Sequence, residues 1–245
     1  MYKDYEKIVG ENLLLPEELW NFKSNGYYNR ILEHVNEKHG NKYLEILNNN
    51  IIFSTEIQYI IDLCKKNDLF GKPIKYNFKN FCSCSPTNLR YILHSILILE
   101  HIIKCDMNNV DIIEIGGGYG GLAFFMHNLA GLYKIKIKSY TIFDLDNVML
   151  LQKKYLSLFD IDINIININD NFSLNEKSFL ISNYAFSEIS HEFQQLYINK
   201  VISKYIIHGF MTWNFIDVYN FTEKKITKEI EYPMTGNDKN YYVYF

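Results

Sequence analysis

From residue 110 onward, short apolar runs alternate with longer ones. The short runs at 110–116 (VDIIEIG), 139–145 (SYTIFDL), 162–168 (DINIINI), 178–184 (SFLISNY) and 209–215 (GFMTWNF) are strand-length and rich in Ile, Phe and Tyr. Between them, LAFFMHNLAGLY (122–133), VMLLQKKYLSLF (148–159) and 190–205, with Phe193, Leu196, Tyr197 and Val201 at helical spacing, predict helices. Strands alternating with helices over short links build a mainly parallel sheet covered on both faces. Two closing strands, at 224–233 and 239–245, have no helix between them; a turn at Thr235–Gly236–Asn237 joins them and predicts an antiparallel strand at one edge. The expectation is an α/β, Rossmann-like, mainly parallel seven-stranded sheet with an antiparallel edge strand.

The first 84 residues carry a different pattern, of short helices joined by polar turns. Thr55-x-x-Gln58 fits a capping box ahead of Ile57, Ile60, Ile61 and Cys64 on one face, and Gly71 and Pro73 punctuate the chain beyond that helix. Ser85–Pro86 opens a further helix whose stripe runs through Leu89, Leu93, Ile96 and Ile103, with Ile92 and Leu99 alongside. The division expected is a helical N-terminal segment, 1–84, serving as lid, acceptor-recognition surface or homodimer contact, and a sheet domain, 85–245.

Composition narrows the function classes. A net charge of −3 with only two arginines, Arg30 and Arg90, is unlike the basic face of a nucleic-acid binder. The most apolar stretch, YILHSILILEHII, is interrupted by His94, Glu100 and His101 and is too short to span a bilayer; the first residues are too charged for a signal peptide. A soluble cytoplasmic protein is expected, without nucleic-acid or membrane partners. Cys64, Cys82, Cys84 and Cys105 make no CxxC pair and no zinc spacing, so no metal site is assigned.

The candidate chemistry begins at DIIEIGGGYGG, 111–121. Five glycines in six positions let a ligand approach bare backbone, and Gly116, Gly118 and Gly121 match a dinucleotide fingerprint. Glu114 separates the two nucleotide readings, because a carboxylate there meets the ammonium of S-adenosylmethionine (SAM) and is of no help to a pyrophosphate. Asp144 ends the second strand, where an acid accepts ribose hydroxyls in either reading; Asp146 is its competitor. Asn169 and Asp170 stand where a polar side chain reaches adenine, or form a plain turn. With Gly117, Tyr119, Leu145, Asn183 and Arg90, these are the expected SAM contacts; the carboxylate-matching fork of Arg90 would equally hold the diphosphate of a nucleotide-sugar or form a structural ion pair.

SPTNLRY, IIEIGGGYGGLA, YTIFDLDNVMLLQKKYL and ISNYAFSEIS occur in order and resemble the sugar O-methyltransferase family, a branch of the class I SAM-dependent methyltransferases. The resemblance covers about 85–213, and Asp-Leu-Asp stands here where relatives often have Asp-Leu-Pro. It implies methyl transfer from SAM to a hydroxyl of a sugar or nucleotide-sugar in glycan biosynthesis. A phosphorylated or other hydroxyl metabolite, a non-catalytic SAM-binding module and an NAD-dependent oxidoreductase are the alternatives. A sugar hydroxyl needs a general base, and the segment after the fourth strand offers Glu188 and His191, the latter otherwise a surface or capping residue, with Tyr184 and Phe186 as substrate contacts, Phe186 otherwise a core aromatic. Asp170, Glu188, His191 and Asp217 could ligate a divalent metal, but their spacing forms no motif that indicates one.

Overall fold

The alternating runs become one doubly wound sheet in a computed structural model that describes residues 2–32, 34–236 and 239–245. A small hairpin, β1 (Tyr76–Asn77) and β2 (Ser83–Cys84), precedes the sheet strands β3 (Asn109–Ile115), β4 (Lys136–Phe143), β5 (Asn164–Ile166), β6 (Ser178–Asn183), β7 (Ile206–Trp213), β8 (Thr227–Ile230) and β9 (Tyr241–Tyr244). The helices are α1 (Tyr2–Leu13), α2 (Gly26–Ile31), α3 (Glu37–Leu47), α4 (Ile51–Thr55), α5 (Ile57–Asn67), α6 (Pro86–Lys104), α7 (Gly121–Ala130), α8 (Asp146–Ser157), α9 (Ala185–Glu188) and α10 (His191–Tyr197). A π-helical stretch, Ile198–Ile202, prolongs α10 toward β7. Among the described residues no helix is long and apolar enough to cross a membrane.

The seven strands lie in the order β5-β4-β3-β6-β7-β9-β8, parallel from β5 to β7. The reversed strand is β9, antiparallel to both β7 and β8, so it sits one place in from the edge. Burial explains the placement: Tyr242 and Val243 of β9 are covered, whereas every residue of β8 is exposed and suits the outermost position. Thr235 and Gly236 fall in the connection between them, while Asn237 of the expected turn lies outside the described residues.

Side chains alternate across the sheet as the period of two requires. Ile112, Ile142, Ile181 and Phe210 join the core beneath α6, α7 and α8; Ile113, Leu180, Met211 and Val243 join the opposite core with Tyr197, Val201 and Phe221. Helix α6 starts as expected, with the Ser85 hydroxyl accepting the Thr87 amide at 3.3 Å and Pro86 in the first turn. Its stripe ends sooner than expected, since Ile102 is buried and Ile103 is 46% exposed. The box at Thr55 does not form. Thr55 closes α4 and donates to the Ile52 carbonyl at 3.2 Å, Glu56 takes the cap position of α5, and Gln58 turns to Asp62 at 3.4 Å.

The first 84 residues share a core with the sheet. Trp20, Phe22 and Tyr28 are buried in the cluster that holds Tyr119 and Tyr155, with the Phe22 and Tyr119 ring centroids 5.5 Å apart. Lys23, 1% exposed, places its ammonium 4.2 Å from the Tyr119 ring centroid and donates to the Asn67 carbonyl. A buried ammonium is tolerated only with such partners.

Candidate functional site

The glycine loop leaves β3 through a left-handed turn. Gly116 has φ +77, and a Cβ placed on it would lie 2.1 Å from the Ala185 Cβ at the start of α9. Its amide donates to the Phe143 carbonyl at 2.9 Å, which ties the loop to the end of β4. Gly118, at φ +58, faces the Leu32 side chain from the N-terminal segment, and Gly117 faces Ile142. Tyr119 points inward, contrary to a ligand contact through its ring. It is 1% exposed, its hydroxyl accepts from Asn67 Nδ2 at 2.9 Å, and its ring meets Tyr155 at 5.1 Å.

Glu114 is 1% exposed, between neighbouring-strand residues Ile142 and Ile181, and accepts from the Tyr140 hydroxyl at 2.8 Å. Burial pushes its carboxyl up to about 8, opposed by the Tyr140 hydrogen bond and reinforced by the charge of Asp144. Asp144 follows β4 directly. Its Oδ1 accepts the Leu145 amide at 2.8 Å, and its Oδ2 accepts Gln152 Nε2 at 2.8 Å; Gln152 also donates to the Gly118 carbonyl at 2.9 Å. Burial raises this carboxyl to about 6, against hydrogen bonds from the amides of Leu145, Gly117 and Gly118 and from Gln152. Asp144 is thereby folded back on the glycine loop, with Leu145 exposed at the rim. Gln152, on α8, is a member that sequence reasoning missed.

Asn169 and Asp170 are exposed beyond β5, and Asn169 donates its amide (3.0 Å) and side chain (3.1 Å) to Asn167 Oδ1, as a turn residue does. Asp146 is engaged with Asn167 Nδ2 at 2.7 Å. Asn183, at the end of β6, accepts from the Thr212 hydroxyl at 3.4 Å.

Arg90 is 4% exposed. Its Nη2 donates to the Leu32 carbonyl at 2.7 Å and its Nη1 lies 3.3 Å from His34 Nε2, so its fork grips the N-terminal segment. Tyr184, at φ +65, donates its hydroxyl to Glu231, which Asn240 Nδ2 also supplies at 2.8 Å. Burial raises the Glu231 carboxyl, while Tyr184, Asn240 and the charge of Arg90 lower it. Phe186 is 1% exposed and packs on Trp213 and Phe221 at 5.8 and 5.5 Å between centroids; it is a core residue with no open face for a sugar.

Glu188 and His191 line one cleft of about 450 Å³ with Ser187, Gln194, Phe215, Asp217 and Tyr219, beyond the carboxyl ends of β6 and β7. Such sheets bind ligands at that end. The Glu188 carboxylate accepts from Asn214 Nδ2 at 2.7 Å, and the Ser187 hydroxyl donates to Asn214 Oδ1 at 2.7 Å, so a short network fixes the acid. Burial raises the Glu188 carboxyl, with Asn214 opposing. His191 is exposed at the start of α10, its ring 6.4 Å from Tyr219 between centroids. Phe215, 73% exposed at φ +61, lies on the cleft wall. Asn214, Phe215 and Tyr219 were not singled out from sequence; a polar residue directly after a strand run was the available signal for Asn214. A second cleft, about 300 Å³ around Asp111, Thr141, Asn164 and Ser178, opens at the amino ends of the strands, away from this site.

No protein-family model matches the chain, and no curated protein does. Among solved structures it is similar to the plantazolicin methyltransferase BpumL in complex with SAH, at 10% identity and a TM-score of 0.38 over 71% of this chain and 57% of that one. It is similar to the citrinin polyketide synthase CMeT domain at 12% identity and a TM-score of 0.47, over 66% and 53%. A protein from Thermoplasma acidophilum matches at 13% identity and 0.40, over 76% and 95%. The chain thus spans little more than half the length of the first two. The Rossmann-like fold itself rests on the strand order and register above.

Proposed function

We propose that this chain is a SAM-dependent O-methyltransferase whose acceptor is a hydroxyl of a sugar or nucleotide-sugar. The observation that carries the reading is the contact between the two halves of the site. Gly116 of the nucleotide-type loop backs onto Ala185, the first residue of the short helix that ends in Glu188. A ligand on the loop and an acceptor in the Glu188 cleft are therefore neighbours. The sugar class rests on the resemblance of the SNYAFSE segment.

The residues present fit SAM. The loop is a cradle that a Cβ at Gly116 would fill, and Asp144 brings a carboxylate to the end of β4 for the ribose. The buried Glu114 holds its proton in the ligand-free protein, and an ammonium placed beside it would favour its charged form. SAM would supply a methyl group activated by its sulfonium. The protein's part is to align the acceptor, exclude water and take the acceptor's proton, and Glu188 takes that proton at its carboxylate while Asn214 holds it in place. His191, on the same cleft, is the second candidate for the base. Residues 1–84 act as a cover: Leu32 lies on the loop at Gly118, and the Leu32 carbonyl is held by Arg90.

Two results test this. Mass spectrometry of nucleotide-sugars incubated with protein and SAM should show the mass of one added methyl. Glu188→Gln should lower that turnover by about 10²- to 10⁴-fold, the usual worth of a general base, with SAM affinity unchanged; full activity in both Glu188→Gln and His191→Ala would remove the base assignment. Separately, calorimetry on Asp144→Ala should show SAM binding weakened by roughly 10- to 100-fold, as expected when a carboxylate's hydrogen bonds worth about 1.5–3 kcal/mol are lost. Binding of NAD(H) in place of SAM by the unaltered protein would overturn the whole reading.

A further inference from the structure

Three cysteines that the spacing rules left unassigned meet in space. The Sγ atoms of Cys64, Cys82 and Cys84 all lie within 4.8 Å of one another. Cys64 comes from the last turns of α5, and Cys82 and Cys84 from the returning side of the β1–β2 hairpin. Residues two apart on an extended strand share a face, which turns both hairpin thiols toward the helix. Cys64 and Cys84 are fully buried, while Cys82 is half-buried and opens the group to solvent on one side.

The frame around the thiols is tightly bonded. The Phe78 amide donates to the Cys82 carbonyl at 3.1 Å, and Tyr76 pairs with Cys84 across the hairpin. Asn88 of α6 donates to the Cys64 carbonyl at 3.3 Å, and Asp68 accepts the Ser85 amide at 2.8 Å. These bonds set the sulfurs before any ion arrives.

We infer that Cys64, Cys82 and Cys84 form a three-thiolate binding site for a thiophilic divalent cation, zinc being the natural occupant. Zinc–sulfur bonds of about 2.3 Å in a tetrahedron put sulfurs roughly 3.8 Å apart. The cluster therefore needs to contract by no more than about 1 Å, within reach of side-chain rotation. Three soft donors select zinc over magnesium or calcium, and the solvent side at Cys82 leaves the fourth position for water. Each thiol surrenders its proton to solvent as its bond to the ion forms, so binding is a ligand exchange with no redox step.

Occupied, the site would clip α5 to the hairpin that leads into Ser85 and α6, on which Arg90 stands. The clip would hold α5 and the hairpin together within the N-terminal segment, separate from the chemistry at Glu188.

The test is a titration of the reduced, chelator-stripped full chain with Co²⁺, followed by competition with Zn²⁺. The expected result is one cobalt per chain, with thiolate-to-cobalt charge-transfer absorption that zinc abolishes, and a Zn²⁺-dependent rise in Tm. Cys82→Ser, at the half-buried position, should weaken binding by more than about 10-fold, a loss already seen for changes outside a metal's own ligands. Cys64→Ser and Cys84→Ser should do the same. Cys105→Ser, whose sulfur sits against His101 instead, should bind as the unaltered protein does. Absence of the charge-transfer band in the reduced protein overturns the inference. So does a cobalt affinity left unchanged by Cys82→Ser in a chain whose circular dichroism is also unchanged.

Discussion

Gly116→Ala is expected to lower stability by roughly 2–5 kcal/mol, the sum of about 1–2 for a left-handed side-chain-bearing residue and about 1–3 for overpacking. Both costs are written in the geometry. At φ +77 the new methyl is badly placed on its own backbone, and it points at the Ala185 Cβ from 2.1 Å. Against a total stability of about 5–15 kcal/mol this is a large loss, and thermal melts should record a fall of roughly 5–20 °C. Two companions separate the causes. Gly131→Ala, with φ −60 and nothing within 4 Å of the added carbon, should be neutral or gain up to about 1 kcal/mol. Adding Ala185→Gly to Gly116→Ala should recover the steric part and leave the backbone part. A Tm for Gly116→Ala within about 2 °C of the unaltered protein contradicts the turn as described.

Glu114→Gln should make the ligand-free protein more stable in mild alkali, by up to roughly 5 kcal/mol above pH 8 if the full rise from the ordinary carboxyl value is realised at about 1.4 kcal/mol per pH unit. The sign comes from proton binding. Folding lifts this carboxyl from 4.5 to about 8 by burying it, so between those values the folded chain holds a proton that the unfolded chain has lost. Stability is full below about pH 4.5 and declines as pH rises toward 8. The amide stays neutral throughout and still accepts the Tyr140 hydroxyl. Half-buried Glu188 and buried Glu231 shift in the same direction, so the diagnostic quantity is the difference between variant and unaltered protein in urea melts at pH 5, 7 and 8.5. A difference that does not grow with pH would falsify the buried, proton-holding state of Glu114.

The sheet was legible because each strand is a local pattern. The apolar runs around Ile112, Ile142 and Leu180 became β3, β4 and β6, and Ser85–Pro86 opened α6 by capping chemistry confined to a few residues. Thr55 failed because the same Ser/Thr chemistry serves the end of one helix as readily as the start of the next. The place of Asp144 directly after a strand was legible, but its turn back to Gln152 depends on a helix folded against it. Tyr119 and Phe186 are buried for a common reason: large rings beside a ligand segment bury more area in a core than they would offer to a ligand. The Arg90–Leu32, Tyr184–Glu231 and Cys64–Cys82–Cys84 groupings join distant parts of the chain, and no periodicity encodes such meetings.

The inward ring of Tyr119 has a consequence for how tightly the loop can hold a ligand. A run of glycines has more backbone freedom to surrender than any other sequence, and freezing it on binding subtracts from affinity. Tyr119 interrupts that run and is locked between Phe22, Tyr91, Tyr155 and the Asn67 amide. The ordering cost is thus met when the protein folds. Phe22 and Lys23, which meet that ring, thus help to pre-order the loop from its inner side.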